Sequence, residues 1–567
     1  NLGCVTFRQA LLLLDPAEST QPEQQRAADV IAHEIAHMWF GDLVTMKWWN
    51  GIWLKEAFAT FCEMHATNAM RPDWLRWEDF GLARTAAFNV DSLESTRPIE
   101  FDVVSPADAE AMYDTLTYEK GAAVVRMLEQ YLGEQPFRDG IRRYLDLHAF
   151  GNTETHDLWN AIEETTGQPA RAIMDSWIFQ GGYPLVTAER VGGSTIRLRQ
   201  QRFSYEPMPA ATRWSVPVVL AYGAGGERHR RPVLLDAEAL DVDLGHGPVD
   251  WVHANADASG FYRVQHEGDL HTAVVGALDD LSSVERYGLV DDAWAATVAD
   301  KMTVADLLEL VRAVAAMEHD TAVWRRVTAV LRGIDTHLGE NRGPHRALAL
   351  ELVDSALDRI GLLPTPGEPE QTTELRATLF ETGGVLGGAT HVAAARELVE
   401  APADPARTAA AINIVATTGG TDDFTLFADR YRNAPNPQEE RRYLFALPLF
   451  RGADEADRLF TMLDDGSIRS QDGAYVLGRA LANDATAATT WAYIEANWET
   501  LGTRYPDNSI PRMIAGAQAV GDPDVAAAID TFFETHEVPQ AGKTLDQHLE
   551  RMRVTVRLRA RLRAELR

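Results

Sequence analysis

His33-Glu34-Ile35-Ala36-His37, followed after eighteen residues by Glu56 within Trp53-Leu54-Lys55-Glu56-Ala57, is the stretch from which the rest of the chain can be read. On a helix, two histidines four apart rise about 6 Å and lie nearly on one face, so both imidazoles can reach a single ion. Glu56 is the candidate third ligand. Zinc held by two neutral imidazoles and a carboxylate keeps a fourth position for water and lowers the pKa of that water toward about 7. Glu34 falls on a neighbouring helix face, toward that open position. It is the expected general base, taking a proton as water attacks and later handing it to the leaving amine. For the motif alone, a solvated helix carrying two histidines is the competing reading.

The chain of 567 residues is too long for one hydrophobic core and, with 46% hydrophobic residues, should divide into several domains. A formal charge of -31 argues against a polyanion-binding surface, so no nucleic-acid partner is expected. The most apolar stretches are short or carry charges, and no bilayer crossing is expected. Cys4 and Cys62 are the only cysteines, which excludes a disulfide framework and a Cys-rich structural zinc site and favours a reducing compartment. Cys62 reads as a small core residue. The first residue is Asn1 rather than Met, from which an upstream segment is expected.

Leu2 to Leu14 alternates and then runs apolar, which predicts a strand passing from a sheet edge into the interior. Thr20-Gln21-Pro22-Glu23 has the spacing of a capping box, so a helix should start there and continue through the histidines to about Phe40. A second helix should carry Glu56, Phe58, Phe61 and Cys62. Further helical runs cover 116–132 and 158–182, and Gly181-Gly182-Tyr183-Pro184 marks a boundary. From 185 to 267 the texture becomes that of a small β-sandwich: Val216, Val218, Leu220 and Tyr222 share a strand face, and Gly225-Gly226 reads as a turn. Beyond it, Thr303-x-x-Asp306 caps the first of a series of alanine-rich helices without a fixed period. The expected division is 1–184, 185–267 and 268–567, the last an irregular helical superhelix with a loop at 362–369. Arginines at 551, 553, 557, 559, 561, 563 and 567 should find an internal electrostatic partner in so acidic a chain, against the alternative of a nucleic-acid-binding arm.

Hydrolysis through a tetrahedral intermediate also needs a donor for the oxyanion, typically worth a few kcal/mol. Tyr118, in Tyr118-Glu119-Lys120-Gly121-Ala122 at the start of an apolar helix, is the candidate, against the alternative of a buried anchor. Glu63 shares the helix face of Glu56 and is a candidate partner for a ligand histidine, against a plain salt-bridge role.

The ordered set His33-Glu-Ile-Ala-His37, Glu56 in Trp-Leu-Lys-Glu-Ala-Phe-Ala, Tyr118-Glu-Lys-Gly-Ala and Gln180-Gly-Gly-Tyr-Pro resembles the zinc aminopeptidases related to aminopeptidase N, the gluzincins. Gly260-Phe261-Tyr262-Arg263-Val264 looks like that family's closing strand of the sandwich. The resemblance implies a multidomain α+β fold with a thermolysin-like catalytic domain, a β-sandwich and a large helical domain closing over the site. It also implies one zinc per chain, a transition-state role for Tyr118 and a pocket position for Tyr113. The family binds the substrate's α-amine through Gly-Ala-Met-Glu-Asn; Asn1 looks like the last letter of that segment, and the glutamate would precede it. Lys55 and Ala57 stand where Asn and Gly are more usual.

The function expected is that of a cytoplasmic, monomeric zinc aminopeptidase cleaving single residues from peptide amino termini. The chain reads as lacking the family's amino-terminal β-domain, so weak activity and an apolar exposed face are expected of it. A zinc endopeptidase or epoxide hydrolase of the same superfamily, and a non-catalytic helical scaffold, are the alternatives. Intact Glu34 and Tyr118 weigh against the scaffold, since neither is needed to hold structure.

Overall fold

The computed structural model of the chain describes residues 2–208, 212–245, 247–538 and 541–566. Helices predominate, with three small sheets. The chain forms two compact units, one comprising residues 1–6 and 28–314, the other residues 7–27 and 315–567.

The first nine helices are α1 (Gln9–Leu12), α2 (Gln21–Ala36), α3 (Trp53–Met70), α4 (Arg76–Asp91), α5 (Pro106–Ala111), α6 (Gly121–Leu132), α7 (Glu134–His148), α8 (Thr155–Thr166) and α9 (Ala170–Ile178). Two three-residue strands, β1 (Val44–Met46) and β2 (Gly151–Thr153), pair in parallel. The core of this region is aromatic: Trp53 stacks on Trp159 at 5.6 Å, and both are fully buried. Because a buried indole needs an acceptor, Trp53 Nε1 donates to Glu100 Oε2 at 2.9 Å.

The expected strand at 2–14 is not formed. Ala10, Leu11 and Leu12 are good helix formers and make the short α1, while Leu2, Leu12 and Leu13 are exposed. Among the described residues no strand pairs with this segment, and an extended run without a ladder partner has nothing to hold it. The Gln438 side-chain amide instead donates to the carbonyls of Ala10 and Leu13.

The capping box at α2 is present: Thr20 N donates to Glu23 Oε2 at 2.8 Å and Glu23 N to Thr20 Oγ1 at 3.4 Å. The helix ends at Ala36, not near Phe40. His37 N still bonds the His33 carbonyl, but the carbonyls of His37, Met38 and Trp39 accept from Asp42, Leu43 and Val44, five residues on. This wider turn, with Gly41 at φ +127°, swings the chain into β1. His33 therefore lies in the last turn of the helix and His37 just beyond it.

Strands β3 (Pro184–Arg190), β4 (Thr195–Arg202), β5 (Val216–Ala224), β6 (Glu227–Leu235), β7 (Ala239–Asp243), β8 (Trp251–His253) and β9 (Arg263–His266) follow. They form one sheet in the order β7-β4-β3-β9 and another in the order β6-β5-β8. β5, the middle strand of its sheet, is buried along its whole length, which suits its run of valine, leucine and alanine. It turns into β6 at Gly225-Gly226, both at positive φ as a tight two-residue hairpin requires. Next come α10 (Asp269–Gly276) and α11 (Ser283–Val298), and then the Thr303 cap: Asp306 N donates to Thr303 Oγ1 at 3.1 Å.

After residue 315 the second unit consists, among its described residues, of helices joined by loops around an apolar core, and residues 362–369 are one such loop. In the helix Lys543–Glu565, Arg553 pairs with Asp530 at 2.8 Å, Arg559 with Asp522 at 3.5 Å, and Arg563 donates to the His337 carbonyl; Arg567 lies outside the described residues.

Candidate metal centre

Three short helical segments bring the candidate residues together. The end of α2 supplies His33 and His37, the first turn of α3 supplies Glu56, and a π-helical turn at Leu116–Lys120 supplies Tyr118. The approach of α3 to α6 depends on Gly121, where an added Cβ would lie 2.6 Å from the Cβ of Ala57. Any side chain at 121 would push the Tyr118 segment away from Glu56.

The ligand atoms offered by His33, His37 and Glu56 lie within 4.8 Å of one another, the only such group among the described residues. Glu56 Oε2 is 3.3 Å from His33 Nε2 and 3.4 Å from His37 Nε2. The other ring nitrogens are spoken for: His33 Nδ1 bonds Glu63 Oε2 at 2.9 Å and His37 Nδ1 the Phe40 carbonyl at 2.9 Å. An imidazole that donates from Nδ1 presents a lone pair at Nε2, so two such lone pairs and a carboxylate oxygen converge on one point.

The electrostatics call for a positive charge there. Burial opposes charge on His33, but Glu56 and Glu63 outweigh it and push the imidazole up to about 9. Burial likewise disfavours the Glu56 carboxylate, yet His33, His37 and Lys55 hold it well below the usual carboxylate range. The carbonyl end of α2 adds partial negative charge at the same place. The donor set therefore fits a divalent cation with nitrogen and oxygen preferences, as zinc has.

Tyr118 stacks on His33, with ring centroids 6.0 Å apart, which places its side chain beside Glu56. Burial, with Glu56, pushes the phenol up, so it keeps its proton. Glu34 is half-buried on the turn between the two histidines. Tyr113 is 41% exposed, and its ring faces Lys55 Nζ at 5.8 Å. Asn1 lies outside the described residues. Cys62 is far from thiolate chemistry, because burial pushes its thiol up to about 12.

Several supporting residues were not anticipated. Lys55 Nζ sits 2.7 Å from Glu56 Oε1, so the lysine beside the carboxylate ligand holds the oxygen turned away from the histidines. Lys120 is fully buried with Asp91, Nζ to Oδ2 2.8 Å, and also donates to the Gly182 carbonyl; Asp91 Oδ1 in turn accepts from Gly182 N. Arg97 clamps Asp114 and Thr117 just before Tyr118. These contacts tie the Tyr118 turn to the Gly181-Gly182 segment. Lys120 and Gly182 were visible as motif letters, but Asp91, Arg97 and Asp114 carry no local signal.

Residues 1–177 match the Peptidase family M1 domain and residues 251–554 the ERAP1-like C-terminal domain. Aminopeptidase M1-B of Oryza sativa subsp. japonica is 30% identical over 596 residues, an alignment covering 100% of this chain and 67% of the relative. Aminopeptidase M1 of Arabidopsis thaliana is 30% identical, covering 98% of this chain and 66% of the relative. Tricorn protease-interacting factor F2 of Thermoplasma volcanium is 31% identical, covering 85% and 59%. The chain thus spans about two thirds of the length of the plant relatives and less of the archaeal one.

Proposed function

Because the chain belongs to the M1 peptidase family, we propose that it is a zinc-dependent aminopeptidase acting on the first peptide bond of peptides. The observation that carries this reading is the convergence of His33, His37 and Glu56 with Tyr118 stacked against the pair. Similarity to proteins named aminopeptidases along the whole chain supports it.

His33, His37 and Glu56 would hold one zinc. The ion supplies Lewis-acid polarisation of the scissile carbonyl and a water acidic enough to attack near neutral pH. Glu63 and the Phe40 carbonyl fix the tautomers of the two imidazoles, and Lys55 orients Glu56. Glu34 takes the proton of the attacking water as the new C–O bond forms, then delivers it to the amine nitrogen as the C–N bond breaks. The Tyr118 hydroxyl donates to the oxyanion of the tetrahedral intermediate. Tyr113 lines the substrate pocket beside Lys55.

The proposed organisation is a thermolysin-like domain at 1–184, a β-sandwich at 185–267 and a helical superhelical domain at 268–567. No helix among the described residues is long and apolar enough to cross a membrane. Two free cysteines support a cytoplasmic site of action. The decisive assay compares an aminoacyl arylamide with the same peptide blocked at its amino terminus. Turnover of the free-amine substrate alone is expected; equal turnover of the blocked one would make this an endopeptidase.

A further inference from the structure

Tyr118 stands on the π-helical turn Leu116–Lys120, a wide and rare form of helix that passes at Gly121 into the ordinary α6. Where the phenol points is set by how that turn is held. At its start Asp114 Oδ1 accepts from Leu116 N at 2.9 Å and from Thr117 N at 3.1 Å, and Arg97 donates to both Asp114 and Thr117 Oγ1. At its end stands Lys120. Residues two apart on a helix do not share a face, so the lysine anchors one side of the turn while Tyr118, on another, meets the His33 ring.

Lys120 and Asp91 are both fully buried, with Nζ 2.8 Å from Oδ2. The same ammonium donates to the Gly182 carbonyl at 3.2 Å. Asp91, the last residue of α4, is fixed in its turn: Oδ1 accepts from Gly182 N at 2.8 Å and from Thr96 Oγ1 at 2.6 Å. The lysine is thereby fastened to the end of α4 and to the Gly181-Gly182 segment, neither of which carries a metal ligand. Stability does not account for the pair. Two charges taken wholly out of water lose in desolvation about what they gain in attraction, and apolar residues of the same volume fill a core as well or better. What a fully satisfied buried pair supplies, and a methionine does not, is a single arrangement of the elements it joins.

We propose that Lys120, locked by Asp91 and Gly182, is the positioning residue for Tyr118: it holds the π-helical turn so that the phenol stands beside the histidine pair before substrate arrives. Its polar contacts are with Asp91 and Gly182, so its effect on the reaction passes through Tyr118. An oxyanion donor works by being in place as the charge develops, and a displacement of about 1 Å can cost about 10²-fold in rate. The proposal rests on the oxyanion role of Tyr118 put forward above, and the two can fail separately.

The test is a double-substitution cycle on the full chain loaded with zinc: parent, Lys120→Met, Tyr118→Phe and the two together. Zinc is counted by elemental analysis, and kcat and KM are measured on an aminoacyl arylamide. Lys120→Met should retain the zinc of the parent, change KM less than about threefold and lose about 10- to 100-fold in kcat. In the Tyr118→Phe background the same substitution should cost less than about threefold, because the hydroxyl it positions is gone. Affinity for a phosphinic pseudopeptide, whose tetrahedral oxygen needs the same donor, should fall in Lys120→Met by the same factor as kcat/KM. Equal losses in the two backgrounds would overturn the proposal, and so would the parent kcat or a loss of zinc in Lys120→Met. Tyr118→Phe at the parent kcat would remove the oxyanion role itself, and the proposal with it. If Lys120→Met does not fold, Lys120→Gln, which keeps an N–H donor but not the charge, enters the cycle in its place: a loss confined to the background with Tyr118 supports the proposal, and equal losses overturn it.

Discussion

His33 in the metal cluster and His337 and His548 in the helical unit are equally buried, each 9% exposed. Their protonation differs completely. Two carboxylates raise His33 to about 9, whereas burial draws His337 and His548 down to about 4, helped at His337 by Arg559, Arg551 and Arg563. His548 Nε2 has a backbone acceptor, the Pro511 carbonyl. The difference teaches that burial by itself makes a neutral packing histidine. A buried imidazole ringed by carboxylates is a place where the fold expects a cation.

The comparison can be broken most sharply at the chemistry. Glu34→Gln should keep the metal and lose about 1,000-fold or more in kcat on an aminoacyl arylamide, because proton transfer by a placed carboxylate contributes about 10² to 10⁴-fold. A variant with the same kcat would remove Glu34 from the mechanism. Tyr118→Phe comes next, with a loss of about 10² to 10³ in kcat and little change in KM, the signature of an oxyanion donor. A purely structural tyrosine would change stability instead. Glu63→Gln tests the support of His33: zinc affinity should fall about 10- to 100-fold, measured by competition with a chromophoric chelator.

The smallest effect sharpens the other side of the comparison. His337 and His548 have depressed folded-state pKa values, so the unfolded chain takes up protons first as pH falls. Their contribution is complete above the unfolded value near 6.5 and is lost progressively toward 4. At pH 5.5 each should cost about 1 kcal/mol. Urea unfolding of His548→Gln should show a flatter decline from pH 7 to 5.5 than the parent; an identical slope would contradict the assignment.

The comparison also marks what the sequence could reveal. His33, His37, Glu56 and Glu63 were legible because helix periodicity places residues four or seven apart on one face. The Thr20 and Thr303 caps and the Gly225-Gly226 hairpin were legible because their chemistry is local. Lys55 was seen but not credited with its bond to Glu56. Asp91, Arg97 and Asp114 were invisible, because what they do depends on partners up to 91 residues away. The early end of α2 and the missing strand at 2–14 share one cause. Periodicity predicts a local shape, but the hydrogen-bond partners that decide where it stops come from elsewhere in the chain.

The central claim is that His33, His37 and Glu56 form one zinc site, and it can be tested without any substrate. The full chain and Glu56→Gln, each dialysed against a chelator, resupplied with zinc and desalted, are compared by elemental analysis. About one zinc per chain in the parent and close to none in the variant is the result predicted. Equal zinc in both proteins, or none retained by the parent, would contradict it.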